Sequence, residues 1–136
     1  MIGDEVNLAS RLEGLNKIYG TRIMTCGNTV EATGGAFEWR RLDRVAVKGR
    51  RQGTLVCELL GMRGLVASDI LHARDLYEAG LEAYFAGDFE PAERMFDEAA
   101  RARPTDLAAP TMRDRCREIA ADPPANWDGI HVMHEK

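Results

Sequence analysis

Leu8, Leu12 and Leu15 recur at the three- and four-residue spacing of one helix face. Asn7 and Arg11 share the same run, four positions apart, so they stand one above the other about 90° around from the leucine stripe. One face can therefore pack while an amide and a guanidinium project together. The run Leu15-Asn16-Lys17-Ile18-Tyr19-Gly20-Thr21 reads as a helix end, with Gly20 as C-cap because glycine accepts the left-handed conformation needed there. Residues 22–26 read as a short buried strand, and 29–33 as a helical turn closed by Gly34 and Gly35. Residues 37–48 and 54–60 read as two strands, the second alternating Leu55, Cys57, Leu59 with Val56, Glu58, Leu60. A glycine-bounded loop, 49–53, makes them a hairpin.

From about Ser68 the period becomes helical. Residues 69–85 are rich in Leu, Ala, Tyr and charge, Gly87-Asp88 breaks the pattern, and 89–103 place Ala92, Met95, Phe96 and Ala99 on one face until Pro104. A third helix is expected over about 106–120, capped by Thr105 or Asp106. The tail reads as a loop turning at Asp128-Gly129, with Trp127 packing back on the helices. The expected organisation is a β-containing unit over 1–61, a linker over 62–68, a helical unit over 69–122 and a tail over 123–136.

Composition narrows the functional classes. The chain has 136 residues, 45% hydrophobic and 29% charged, which suits one or two small globular domains and argues against general disorder. Its net charge of −4 gives no electrostatic case for binding nucleic acid or an anionic membrane. No apolar run approaches the roughly 20 residues of a membrane helix, and the first residues lack the basic start and apolar stretch of a secretory signal. The three cysteines are widely spaced without a C-x-x-C pair, which favours reduced thiols in a cytoplasmic setting. His131 and His134 have an H-x-x-H spacing, but no carboxylate or cysteine cluster supports them as metal ligands.

The chemistry concentrates in the first run. A forked cation beside a neutral amide suits a sugar–phosphate substrate: Arg can stabilise charge building on a phosphoryl group while the Asn amide orients a nearby oxygen. The stretch Gly3-Asp4-Glu5-Val6-Asn7-Leu8-Ala9-Ser10-Arg11-Leu12-Glu13 resembles the G-D-x-V-N-x-A-x-R-L-E signature of the class III nucleotidyl cyclases, the adenylate and guanylate cyclases. The resemblance implies that Asn7 and Arg11 stabilise the transition state as a ribose 3′-hydroxyl attacks the α-phosphorus and pyrophosphate leaves. Val47-Lys48-Gly49 resembles a second family mark, which implies that Lys48 contacts the terminal phosphates as a compact point charge. Arg50 and Arg51 read as a solvated basic tip, and Asp4 as a helix-capping acid rather than a metal ligand.

The same resemblance implies what the chain lacks. In the family, two Asp residues upstream of the signature bind Mg²⁺ or Mn²⁺. This chain starts three residues before Asp4, so the metal ligands and the residues that choose adenine or guanine are expected outside it. The isolated chain is therefore expected to be inactive. The implied fold is α+β, a partial ferredoxin-like cyclase core followed by a helical extension. The implied substrate of the intact enzyme is ATP or GTP, and the implied assembly is a homodimer that shares its active sites.

Leu76, Gly80, Ala83, Tyr84, Gly87-Asp88, Ala92, Phe96, Ala99 and Pro104 resemble one tetratricopeptide repeat, with Tyr84 and Phe96 expected to fill the gap between its helices. A single repeat cannot make an independent array, which needs about three, so a structural or regulatory appendage is the expectation. The Pro123-Pro124-Ala125-Asn126-Trp127-Asp128-Gly129 tail resembles extensions of bacterial membrane-anchored cyclases, which implies the cytoplasmic face of the inner membrane if an amino-terminal sensor exists. A different class also fits the pattern: a non-catalytic interaction module built from a cyclase remnant and a helical repeat. An in-frame upstream extension carrying two metal-binding Asp residues separates the two.

Overall fold

The structure is a computed structural model that describes residues 16, 19–21, 24–26, 35–47 and 54–133. It is α+β. Strands β1 (Met24–Cys26), β2 (Phe37–Val47) and β3 (Thr54–Met62) precede helices α1 (Ser68–Phe85), α2 (Phe89–Ala102) and α3 (Ala108–Ala121), and β4 (His131–Met133) follows. The strands form one sheet in the order β1-β3-β2-β4.

Strands β2 and β3 form the expected antiparallel hairpin, running from Phe37 opposite Met62 to Val45 opposite Thr54. The register shifts at Glu38/Trp39 and again between Arg41 and Asp43, so β2 carries local irregularities that re-aim its side chains. β3 departs from the expected alternation, because Val56, Cys57 and Glu58 are buried in succession. It lies between β1 and β2, so both its edges are paired, and Glu58 is buried by an ion pair with Arg40 rather than turned to water. Met62, expected to lie in the linker, is the last residue of β3.

The loop-like tail departs further from expectation. After Trp127, residues 131–133 add a strand parallel to β2, with Val45 opposite His131 and Val47 opposite Met133. Three residues are too short for a periodicity signal, and a parallel partner distant in sequence leaves no local mark. Trp127 packs back as expected. Its Nε1 donates to the Tyr84 carbonyl at 2.7 Å, and its ring meets Tyr84 and Phe89 edge-on at 5.0 and 5.1 Å.

The expected helix breaks are in place. Gly20 has φ 68° and its amide donates to Asn16 O at 2.8 Å, closing a helical turn, and Gly87 (φ 86°) turns the chain between α1 and α2. A Cβ on Gly80 would lie 3.0 Å from the Phe96 ring, so this glycine permits the close approach of the two helices. The ring that Phe96 meets is Tyr77, at 5.0 Å, whereas Tyr84 stacks with Phe85, Phe89 and Trp127. Phe96 is thus paired one helical stretch earlier than the sequence suggests, and Tyr84 serves the tail.

One core joins sheet and helices. Tyr19, Leu42, Val45 and Val56 cluster with Tyr77, Leu81, Phe96, Met112 and Cys116. Burial pushes the Cys116 thiol up to about 12, so it is an inert apolar core group, as expected of a reduced structural cysteine.

Candidate functional site

Asn7, Arg11 and Lys48 lie outside the described residues, as do Asp4, Arg50, Arg51 and His134. What the structure describes is the framework next to them in sequence. Tyr19 comes eight residues after Arg11, and Val47, which ends β2, immediately precedes Lys48. Those two stretches meet in a buried polar centre.

Asp43 is its hub. Its side chain is completely buried. The Tyr19 hydroxyl donates to Asp43 Oδ2 at 2.7 Å, the Arg115 guanidinium donates to the same oxygen, and the Arg44 amide donates to Oδ1 at 2.8 Å. Arg115 also donates to the Tyr19 oxygen at 3.1 Å. Each of the three side chains comes from a different part of the chain: the turn ending at Gly20, strand β2 and helix α3. Burial, reinforced by Asp43, holds the Tyr19 phenol well above its ordinary value, so it stays a donor. Burial alone would lower Arg115, but Tyr19 and Asp43 outweigh it and keep the guanidinium charged.

A second centre lies three residues back on β2. Arg40 is buried and donates both terminal nitrogens to Asp106, at 2.7 and 3.0 Å, in a bidentate pair. Its Nη2 is also 2.7 Å from Glu58 on β3, and its guanidinium stacks 4.6 Å from the Tyr77 ring centroid. Asp106 simultaneously accepts from the amides of Ala108 and Ala109, so the expected capping acid of α3 is also the anchor of β2. Burial pushes Asp106 up, but Arg40 and the two amides prevail and hold it below the usual carboxylate value. For Glu58 burial prevails over Arg40, and its carboxyl is raised.

The remaining β2 cations also turn to the helices. The Arg41 amide donates to Glu78 at 2.9 Å, its guanidinium to Glu82 at 2.7 Å, and Arg44 lies over the Phe85 ring. The sequence pattern marks β2 only as a strand and Asp106 only as a candidate helix cap, and it gives Tyr19, Arg40, Asp43, Glu58 and Arg115 no part in a polar centre. A signal existed: Arg40 and Leu42 share a face at period two, so an arginine stands on the strand's core-facing side. Its two acidic partners are distant in sequence and could not have been found that way.

Among the described residues no group of three or more His, Cys, Asp or Glu side chains could hold a metal ion, so these residues do not fit the divalent-metal site that the resemblance implies for the intact enzyme. No helix among them is long and apolar enough to cross a membrane. An open depression of about 460 Å³ lies along α2, lined by Pro91, Arg94, Met95, Asp97, Glu98 and Arg101. All six residues belong to one helix and their charges oppose one another.

Comparison with known proteins now bears on this framework. Over 61 residues the chain is 39% identical to Adenylate cyclase 1 of Rhizobium meliloti (strain 1021), a match covering 45% of this chain and 9% of that protein. Over 119 residues it is 32% identical to "Adenylate cyclase, terminal-differentiation specific" of Dictyostelium discoideum, covering 85% of this chain and 6% of that protein. The chain is similar to adenylate cyclases. It spans less than a tenth of the length of these curated relatives. The second match covers so much of the chain that it must extend beyond the first 61 residues into the helical region. No protein-family model and no solved structure matches the chain.

Proposed function

We propose that this chain is the carboxyl-terminal portion of a class III nucleotidyl cyclase, with ATP as the substrate of the intact enzyme. The observation that carries this reading is the Gly3–Glu13 signature in a chain similar to two adenylate cyclases. In the reaction the 3′-oxygen forms a bond to the α-phosphorus, the bond from that phosphorus to the bridging oxygen breaks, and pyrophosphate leaves. The 3′-hydroxyl proton passes to solvent. Arg11 would meet charge that grows on the phosphoryl oxygens in the transition state, Asn7 would orient the ribose oxygen, and Lys48 would meet the terminal phosphates already charged in the ground state. Mg²⁺ or Mn²⁺ would be held by residues other than these. On this reading the sites form in a homodimer, with the Asn7–Arg11 pair of one subunit facing the metal-binding part of the other, on the cytoplasmic side. The single repeat-like hairpin then serves the cyclase core, not a separate peptide.

Turnover tests the reading. The chain alone should make no cyclic nucleotide from ATP or GTP with Mg²⁺ or Mn²⁺. The same chain joined to its upstream half should cyclise ATP. In that longer protein Arg11→Ala should lower kcat about 10²–10³-fold with little change in KM, and Lys48→Ala should raise KM instead. A longer protein that remains inactive, or the opposite pattern in the two variants, counts against the assignment and leaves the interaction module as the better account.

A further inference from the structure

Two stretches adjoining the proposed catalytic residues converge on one carboxylate, and a helix outside the cyclase core completes it. We infer that Arg115 is a positioning residue: through Asp43 and Tyr19 it ties the helical region to the segment following Arg11 and to the strand leading into Lys48. The inference rests on the cyclase reading for its function, though not for its mechanics.

The mechanical case is one of buried valence. Asp43 is fully buried, so losing Arg115 or Tyr19 would leave a buried carboxylate oxygen short of a partner. Its other carboxylate oxygen is taken by the Arg44 amide, which fixes the carboxylate against its own strand just past the register shift. The Tyr19 hydroxyl is both donor to Asp43 and acceptor from Arg115, so the three groups form a closed ring of contacts in which none moves without the others. The Arg115 side chain also lies 5.7 Å from the Tyr19 ring centroid, packing against the residue it bonds. Burial is high at all three: the Arg115 side chain keeps 13% exposure and Asp43 none.

A transition-state contact is sensitive to small displacement of its frame, because a shift of about 1 Å can cost about 10²-fold in rate. A residue that ties Tyr19 to β2, the described neighbours in sequence of Arg11 and Lys48, should therefore act on kcat more than on KM. The helical extension then has a reason to stay joined to the cyclase core: it supplies the cation that closes the ring.

Hydrogen exchange on the full chain tests the mechanics. Arg115→Met should speed exchange at residues 19–21 and 43–46 by about ten-fold or more, while α2 changes less than about three-fold. Arg115→Lys should restore most of the protection. Tyr19→Phe keeps the ion pair and removes one hydroxyl, so it should speed exchange at 19–21 alone, and it decides the matter if Arg115→Met does not fold. Unchanged exchange at 19–21 and 43–46, or an equal rise through α1 and α2, overturns the proposal.

Turnover in the longer protein tests the function. Arg115→Met should lower kcat about ten-fold with KM within about two-fold, and Arg115→Lys should recover most of it. The predicted exchange pattern with unchanged kcat would overturn positioning while leaving the cyclase reading intact. If the wild-type longer protein does not turn over, the cyclase reading fails, and the positioning proposal fails with it even where the exchange pattern holds.

Discussion

Between α1 and α2 the contact is apolar and close: Gly80 receives the Phe96 ring, and Tyr77 meets that ring edge-on at 5.0 Å. Between the helices and β2 the contact adds buried charge to the apolar core. Arg40 is shared by Asp106 and Glu58, and Asp43 by Arg115 and Tyr19, all out of water. The first contact follows from shape, so it tolerates side chains of similar volume. The second follows from charge pairing, so it tolerates the loss of a whole set better than the loss of one member. A helical hairpin joined to its neighbour in this way is held in one orientation, since a shifted packing would strand buried charges.

The sharpest way to break this comparison is to remove one charge. Arg40→Met keeps the length and apolar stem but removes the guanidinium shared by Asp106 and Glu58, leaving Glu58 only the more distant Arg103 at 3.9 Å. We expect a loss of about 3–5 kcal/mol in urea unfolding at neutral pH. A loss below 1 kcal/mol would mean that the cluster is solvated in solution and that the sheet–helix contact is not held by charge.

Its counterpart on the apolar side is Phe96→Leu, which preserves much of the volume against Gly80 and Tyr77. The expected cost is about 1.5 kcal/mol or less, measured in the same way. If Phe96→Leu proved as costly as Arg40→Met, the two regions would not differ in kind.

Legibility in the sequence divides along the same line. The β2–β3 hairpin, the turn at Gly87, the helices and the inward packing of Trp127 follow from period, glycine placement and aromatic patterning, all local signals. The partners of Arg40, Asp43 and Glu58 do not. Arg40 and Asp106 are 66 residues apart, Asp43 and Arg115 72 apart, and a charge on a strand reads as solvated until its partner is located. Strand β4 was missed for the same reason: its ladder with β2 is non-local and short. The core also crosses residues 62–68, where composition changes, because pattern marks the change in secondary structure and says nothing of which faces pack together. Of the candidate catalytic residues, Asn7, Arg11 and Lys48 were legible only as a motif, and they lie outside the described residues.

A pH titration sharpens the comparison within the charged region itself. The Glu58 carboxyl is raised above its ordinary 4.5 by burial, so folding favours its neutral form. Its cost is present at neutral pH and is relieved as pH falls through that raised value. Asp106 is lowered below its ordinary 3.8, so its contribution is fully present above that pH and is lost only as pH falls through its still lower folded value. As pH falls from neutral towards 4.5 the wild type should therefore gain stability relative to Glu58→Gln, which has no proton to take up there. Parallel stability curves for the two proteins would show that Glu58 is not desolvated.

The smallest effect is expected where charge pairing occurs in water. Arg101 meets Asp97 at 2.9 Å across one turn of α2, with the arginine side chain 80% exposed. Its distance differs little from those in the Arg40 cluster, so geometry alone predicts no distinction. Solvent makes one: exposed i,i+4 pairs contribute about 0.3–0.5 kcal/mol, since water screens the attraction and two long side chains lose freedom in forming the pair. Asp97 also keeps Arg113 as a partner at 3.2 Å, so Arg101→Ala leaves no carboxylate unpaired. We expect a change of at most about 0.5 kcal/mol in urea unfolding, shrinking further in added salt. A loss above 1 kcal/mol would show that pairing distance, not burial, governs these contacts.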